Sequence, residues 1–378
     1  MNETFGICEN RYKATDKQKA EIKAKKDEIL SVFRACETVD DIEAIGYGIV
    51  TKYYAGLIDG IAYSSSGNAI YNFVSAQSTI GELEKKGAGY VGSGSERTAY
   101  LLCMLRIKYA TKNSQKYFRG CVDTGGHQYK VAETGENVNY VVITTAQAKN
   151  LYVGETVSIG TPGANNNVDR GQASMNAIAK NVRITAIESI ADTANSKVYV
   201  EKAGMTITAD AYISTMPLHS GTTDEVLGAD GYISNDGKHA FKLGGIEEGV
   251  GAYFISMNEI WNKTTASMVD YYVRPKGVAW SATASGWKKV VTVDLIDSND
   301  CWIGDIDIDL ETGVDYLKTV GTGDSVGVGD RIYKGGTGTG YREALKRGGL
   351  GGGGGAGFCC SSLGGEVSGA LWDCAFCV

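Results

Sequence analysis

Residues 346–378 read KRGGLGGGGGAGFCCSSLGGEVSGALWDCAFCV. Eleven of the 23 residues from Gly348 to Ala370 are glycine, a composition that by itself describes a flexible linker. The stretch closes, however, on LWDCAFCV, which is apolar and strand-like. Linkers do not end in aromatic residues that want burial, so an ordered segment is expected, with glycine where the backbone turns or crowds. Trp372 and Phe376 are two strand periods apart, which predicts that both are buried on one face of a final strand together with Cys374.

Upstream the texture is different. Tyr129 to about Gly228 holds β-branched runs (YVVITT, YVGETVSIG, NVRITAIESI, KVYVEKAG, ADAYIST) separated by polar turns such as GANNNVDRG. This spacing predicts a small all-β module, of barrel type, that acts as a spacer or docking domain. Before it, Ser95–Tyr117 reads as a helix with Ser95 as N-cap, Glu96 in the first turn, and Leu101, Leu102, Leu105 and Tyr109 as its apolar face. Nearer the start, β-like runs fall around Tyr47–Tyr54 and Gly60–Tyr63. Thr15–Arg34 reads as a charged helix whose partial stripe, Ile22, Ile29, Val32 and Phe33, needs a partner surface. After Gly228 the chain is Gly- and Trp-rich, which suggests loop packing around a small sheet.

At 378 residues the chain exceeds the usual domain size of about 100–200, so two or three domains are expected. Lys and Arg total 37 against 44 Asp and Glu, a net charge of −7, which argues against a nucleic-acid footprint. No apolar run suits a membrane span, and the first residues lack an apolar signal core. Nine cysteines, an odd number with no leader, favour reduced thiols made in a cytoplasm.

Two stretches carry a family resemblance. Arg347-Gly348-Gly349, then Ala356-Gly357-Phe358, then Trp372-Asp373-Cys374-Ala375-Phe376 resembles the ending of C-type-lectin-fold domains of the formylglycine-generating-enzyme type. More narrowly, it is similar to the variable proteins of diversity-generating retroelements, many of which are phage receptor-binding proteins. Gly245-Ile246-Glu247-Glu248-Gly249-Val250-Gly251-Ala252-Tyr253 stands where the family has its upstream glycine- and Trp-containing run. Leu350 and Cys377 depart from the family's usual Trp and Arg. The resemblance covers about Lys238–Val378.

It implies an α+β protein in three parts. Residues 1–90 would form an N-terminal helical and β region for oligomerisation or virion attachment. Residues 91–128 and 229–378 would form a C-type-lectin-like ligand-binding domain. Residues 129–228 would be an inserted β module. In such systems adenine-directed mutagenesis rewrites Asn codons, and from Gly348 onward this chain has no Asn at all. The implied variable, ligand-facing positions are Gly351, Gly352, Gly354, Gly355, Cys360, Ser362, Gly364, Gly365, Gly369, Leu371 and Asp373, exposed on one surface. Arg347, Gly348, Gly349, Ala356, Gly357, Trp372 and Phe376 would be scaffold. The implied role is a phage or prophage structural protein, such as a tail fibre, that binds a host-surface protein or glycan. It would be a homotrimer joined through residues before about Tyr90, contacting other virion proteins. It would sit on the virion after assembly in the host cytoplasm, with no catalytic activity, cofactor or membrane insertion. The rivals are an enzyme of the formylglycine-generating fold and a ligandless decoration protein.

Other signals are weaker. Cys374-x-x-Cys377 could suggest zinc, but residues three apart on a strand face opposite ways. Asp305-x-Asp307-x-Asp309, with Glu311 and Asp315, could suggest calcium. The helix–loop–helix motif, however, needs Gly at its sixth position, where Leu310 stands. DIDIDL alternates as a strand with one acidic face does. GTGDSVGVGD, 321–330, reads as a loop whose Asp residues form turns. GGLGGGGG lacks the following Lys and helix of a phosphate loop, and GSGSE at 92–96 lacks a βαβ setting.

Overall fold

The computed structural model describes residues 50–87, 90–225, 236–295, 300–309, 314–321, 327–336 and 338–378. The helix expected over Thr15–Arg34 lies outside them. The fold is sheet-rich, 40% strand against 14% helix.

The largest element is a nine-stranded sheet. Across it run Lys288–Asp294, Met268–Val273, Tyr253–Lys263, Gly340–Arg347, Gly357–Ser362, Arg331–Tyr333, Asp300–Asp309 and Val314–Gly321. Its two outer strands approach one another, so the sheet is nearly closed. The short strand Cys374–Ala375 pairs in parallel with Tyr253–Phe254 beside it. The glycine-rich segment is therefore built into the sheet. Gly357–Ser362 is an interior strand, buried along its whole length. Gly357 has no alternative there, because a Cβ would stand 2.0 Å from Asp330 Oδ1. That Asp330 carboxylate, read from sequence as a turn former, instead accepts the Cys359 N–H at 2.7 Å inside the protein.

The helix Ser95–Tyr109 packs Leu101, Leu102 and Leu105 into the core of this sheet, with Phe118, Phe241 and Phe358. Gly94, not Ser95, is its N-cap, and Ser95 N–H is taken by Asn258 Oδ1 at 2.8 Å. It stops eight residues short of the expected Tyr117, because Ala110 turns left-handed at φ 49°. The hairpin Ala55–Ile58/Ile61–Ser64 overlaps the second expected β run, whereas residues 51–54 are not strand. A further helix, Ala76–Glu84, was invisible in the sequence pattern; Ser75 caps it reciprocally with Ser78.

Residues 128–216 form a six-stranded sheet ordered Gln128–Lys130, Tyr212–Met216, Thr156–Gly160, Ala179–Ser189, Asn195–Val200, Tyr140–Thr144. All five β-branched runs of the sequence are strands in it. Ala132 N–H donates to Val142 O at 2.8 Å, which draws the two edges together into a barrel-like curl. This unit has its own apolar core, from Val131 to Ile213.

The two stretches that carry the family resemblance meet in the interior. Glu248, fully buried, accepts from Arg97 Nε at 2.5 Å and Arg347 Nε at 3.2 Å, and Tyr54 Oη donates to it at 2.8 Å. Arg347 also donates to Thr98 Oγ1 at 3.1 Å and to the Phe358 carbonyl. These bonds hold Arg347 at φ 81°, a strained conformation for a non-glycine residue.

Candidate ligand-binding site

The closing turn is pinned from three sides. Asn72 Nδ2 donates to Trp372 O at 2.7 Å, Phe73 N–H to Leu371 O at 3.0 Å, and Tyr253 N–H to Asp373 O at 2.7 Å. Trp372 is therefore a turn residue and only half-buried, contrary to the expected strand face shared with Phe376. Phe376 is fully buried and packs with Cys374, Leu83 and Leu345, whereas Trp372 leans on a different cluster with Tyr54 and Leu350. Cys374 and Cys377 likewise belong to separate clusters.

The eleven sequence-predicted ligand positions do not share one surface. Gly355, Cys360, Ser362 and Gly365 are buried. Cys360 and Ser362 sit on the interior strand Gly357–Ser362, so both of their faces are covered. A Cβ on Gly355 would meet the Arg331 side chain at 3.0 Å, and one on Gly365 would meet Glu343 Oε1 at 2.7 Å. Gly351, Gly354, Gly364 and Leu371 are exposed, and Gly352, Gly369 and Asp373 partly so. Three of the eleven, Gly351, Gly352 and Asp373, come together on the wall of one cleft of about 430 Å³. A Cβ added to Gly351 would have nothing within 4 Å, so any side chain fits there; Gly352 is tighter, 3.0 Å from Ala356 Cβ.

Part of the lining comes from the inserted module. Asp169 and Arg170 lie in the turn that the sequence marked only as polar, and Gly126 and Gln128 lie at the module's entry. Arg170 is 7% exposed. It donates to Thr215 O at 3.3 Å and to Gly126 O, and its guanidinium lies 4.5 Å over the Trp372 ring. Burial raises the Asp373 carboxyl to about 6, with the nearby Arg170 cation opposing that rise. Tyr253 and Arg331 complete the lining, and burial raises the Tyr253 phenol above its ordinary range. The site thus joins an aromatic edge, two guanidinium forks, two carboxylates and a bare glycine backbone.

The other signals have ordinary settings. Asp305, Asp307 and Asp309 lie on one strand and each meets a lysine: Lys112 at 3.2 Å, Lys318 at 2.8 Å and Lys288 at 2.8 Å. Among the described residues, no three His, Cys, Asp or Glu side chains are grouped so as to hold a metal ion. No helix among them is long and apolar enough to cross a membrane. Burial raises the thiols of Cys360 and Cys377 to about 12. No protein-family model matches the chain, and none of the curated proteins matches it.

Proposed function

We propose that this protein is a phage or prophage receptor-binding protein, with a C-type-lectin-type binding unit and an inserted β module, that takes a host-surface ligand in the cleft beside its C-terminal segment. The observation that carries the reading is the gathering of Gly351, Gly352 and Asp373 on one cleft wall, over an ordered scaffold of Arg347, Gly357 and Phe376. A rigid frame with exchangeable side chains at its lip is what a variable binding surface needs. Copies of the chain on the virion, joined as a trimer through residues before about Tyr90, would add avidity to a site poor in side chains. The raised thiols favour binding over a redox enzyme of the same fold, because the thiolate is the reactive form.

The test is the gene's own locus. The proposal expects a near-identical template copy of the segment encoding residues 347–378 beside a reverse-transcriptase gene. A locus with neither template nor reverse transcriptase would overturn the variable-binder reading and leave the decoration protein or the enzyme.

A further inference from the structure

We propose that the core of the large sheet is a binding site for one resident water molecule, held between the Trp261 indole N–H and the Glu259 carboxylate. The site is separate from the cleft, and it stands or falls independently of the receptor-binding reading.

Glu259 and Trp261 are two residues apart on the strand Tyr253–Lys263, so both side chains leave it on one face. That face is interior: Glu259 is 2% exposed and Trp261 1%. Both line a cavity of about 20 Å³. Its remaining walls come from five more strands of the same sheet and from Thr98 on the helix Ser95–Tyr109.

The polar groups on this wall are only half satisfied. Glu259 Oε1 accepts from Tyr271 Oη, and Lys346 Nζ lies 3.0 Å from it. Glu259 Oε2 and Trp261 Nε1, both buried, have no hydrogen-bond partner among the described residues, each other included. Buried polar groups are rarely left in that state, because they have given up water and gained nothing in exchange. An ionised carboxylate only accepts and an indole only donates. One species satisfies both if it accepts from Trp261 and donates to Glu259.

Size and charge restrict that species to water. A cavity of about 20 Å³ exceeds the roughly 10–15 Å³ that one water needs and has no room for a larger solute. Glu259 and Lys346 carry opposite charges on the same wall, so a cation meets the ammonium and an anion meets the carboxylate. An apolar guest would leave both orphaned atoms as they are. Internal waters make about three hydrogen bonds. Lys346 Nζ, which also lies 5.5 Å over the Trp261 ring, offers a further donor, and Ser361 Oγ, which donates to Cys359 O at 3.1 Å, keeps the capacity to accept. The water would thus link the strand Tyr253–Lys263 to Gly340–Arg347 and to Gly357–Ser362, the interior strand of the glycine-rich segment.

The experiment is a crystal structure of the full-length protein at a resolution that shows ordered water, for wild type and for Trp261→Phe, which keeps a ring and removes the N–H. Wild type should show a single ordered peak at hydrogen-bond distance, about 2.7–3.2 Å, from both Trp261 Nε1 and Glu259 Oε2. In Trp261→Phe its occupancy should fall by at least half. An empty cavity, an indole turned onto a protein acceptor, or a peak whose anomalous signal marks an ion would each overturn the proposal. So would a peak unchanged in position and occupancy in Trp261→Phe, since the indole would then not be holding it. If that variant fails to fold, the wild-type density decides the matter alone.

Discussion

Glu248 is the charge on which two distant pieces of chain converge, with Arg97 and Arg347 on either side of it and no exposure to solvent. Removing one member of a buried ionic group leaves the others uncompensated, at a cost of about 3–5 kcal/mol. Arg347→Ala should therefore lower stability by about that much in urea melts, and loss of less than 1 kcal/mol or so, the ceiling for an exposed pair, would show that Arg347 is not part of the frame. Glu343 is a different case. Burial raises its carboxyl to about 8, while the Ala76 N–H at 2.8 Å opposes that rise. Between the unfolded value near 4.5 and the folded value the native state holds the extra proton, so this group's contribution to stability falls as pH rises. The slope is about 1.4 kcal/mol per pH unit over that window. Glu343→Gln should melt higher than wild type at pH 8 and close to it at pH 5. Equal melting differences at both pH values would contradict this. Neither residue was legible as buried in the sequence: a Glu in GIEEG and a Glu in YREALK look like surface residues until their partners are placed. Cys360 and Ser362 misled in the opposite direction, because small polar residues in a glycine-rich stretch look exposed, yet the strand that carries them is interior.

The glycine-rich loop divides into positions with room and positions without. Gly351 and Gly354 have nothing within 4 Å of an added Cβ, and neither has a positive φ. Gly351→Tyr and Gly354→Asp should each shift stability by no more than about 0.5 kcal/mol, as exposed sites do. Gly365→Tyr would drive a ring into Glu343 and Leu345, 2.7 and 3.1 Å from a Cβ, and overpacking of this kind costs about 1–3 kcal/mol. Thermal melts of the three variants check the division, and equal effects at all three positions would refute it. Sequence reading could not make this division, because a run of glycines carries no periodicity. Elsewhere the elements were legible where periodicity was strong. The β-branched runs of the inserted module are all strands, since alternation and turn residues agree there. The helix Ala76–Glu84 was missed because its apolar residues are few, and its one signal, a Ser75–Ser78 capping pair, is not the usual Ser–Glu form. The helix from Ser95 was found but overextended, because nothing in TKNSQK foretells the left-handed Ala110.

At the scale of the molecule, the inserted module has its own core and yet touches the larger unit at chosen points. Asn181 Nδ2 donates to Asn72 Oδ1 at 3.0 Å, and Arg170 covers Trp372. The β-branched runs predicted the strands of this sheet, but its part in the cleft depends on which turn packs against which, and no local pattern records that. Residues 1–49, where the sequence predicts a charged helix over Thr15–Arg34, lie outside the described residues. The trimer proposed through this region predicts that full-length protein scatters light as an oligomer at micromolar concentration. A truncation lacking residues 1–40 should then dissociate. A monomeric full-length chain would end that proposal, and an unchanged oligomer after truncation would move the contact to the sheet-rich unit. The central claim, that the C-terminal segment is a variable binding surface on a fixed frame, is tested most directly by sequencing its codons across many isolates. The account predicts substitutions concentrated at Gly351, Gly352, Leu371 and Asp373, with Arg347, Gly348, Gly357 and Phe376 unchanged. Substitutions spread evenly along the segment, or concentrated on those four frame residues, would contradict it.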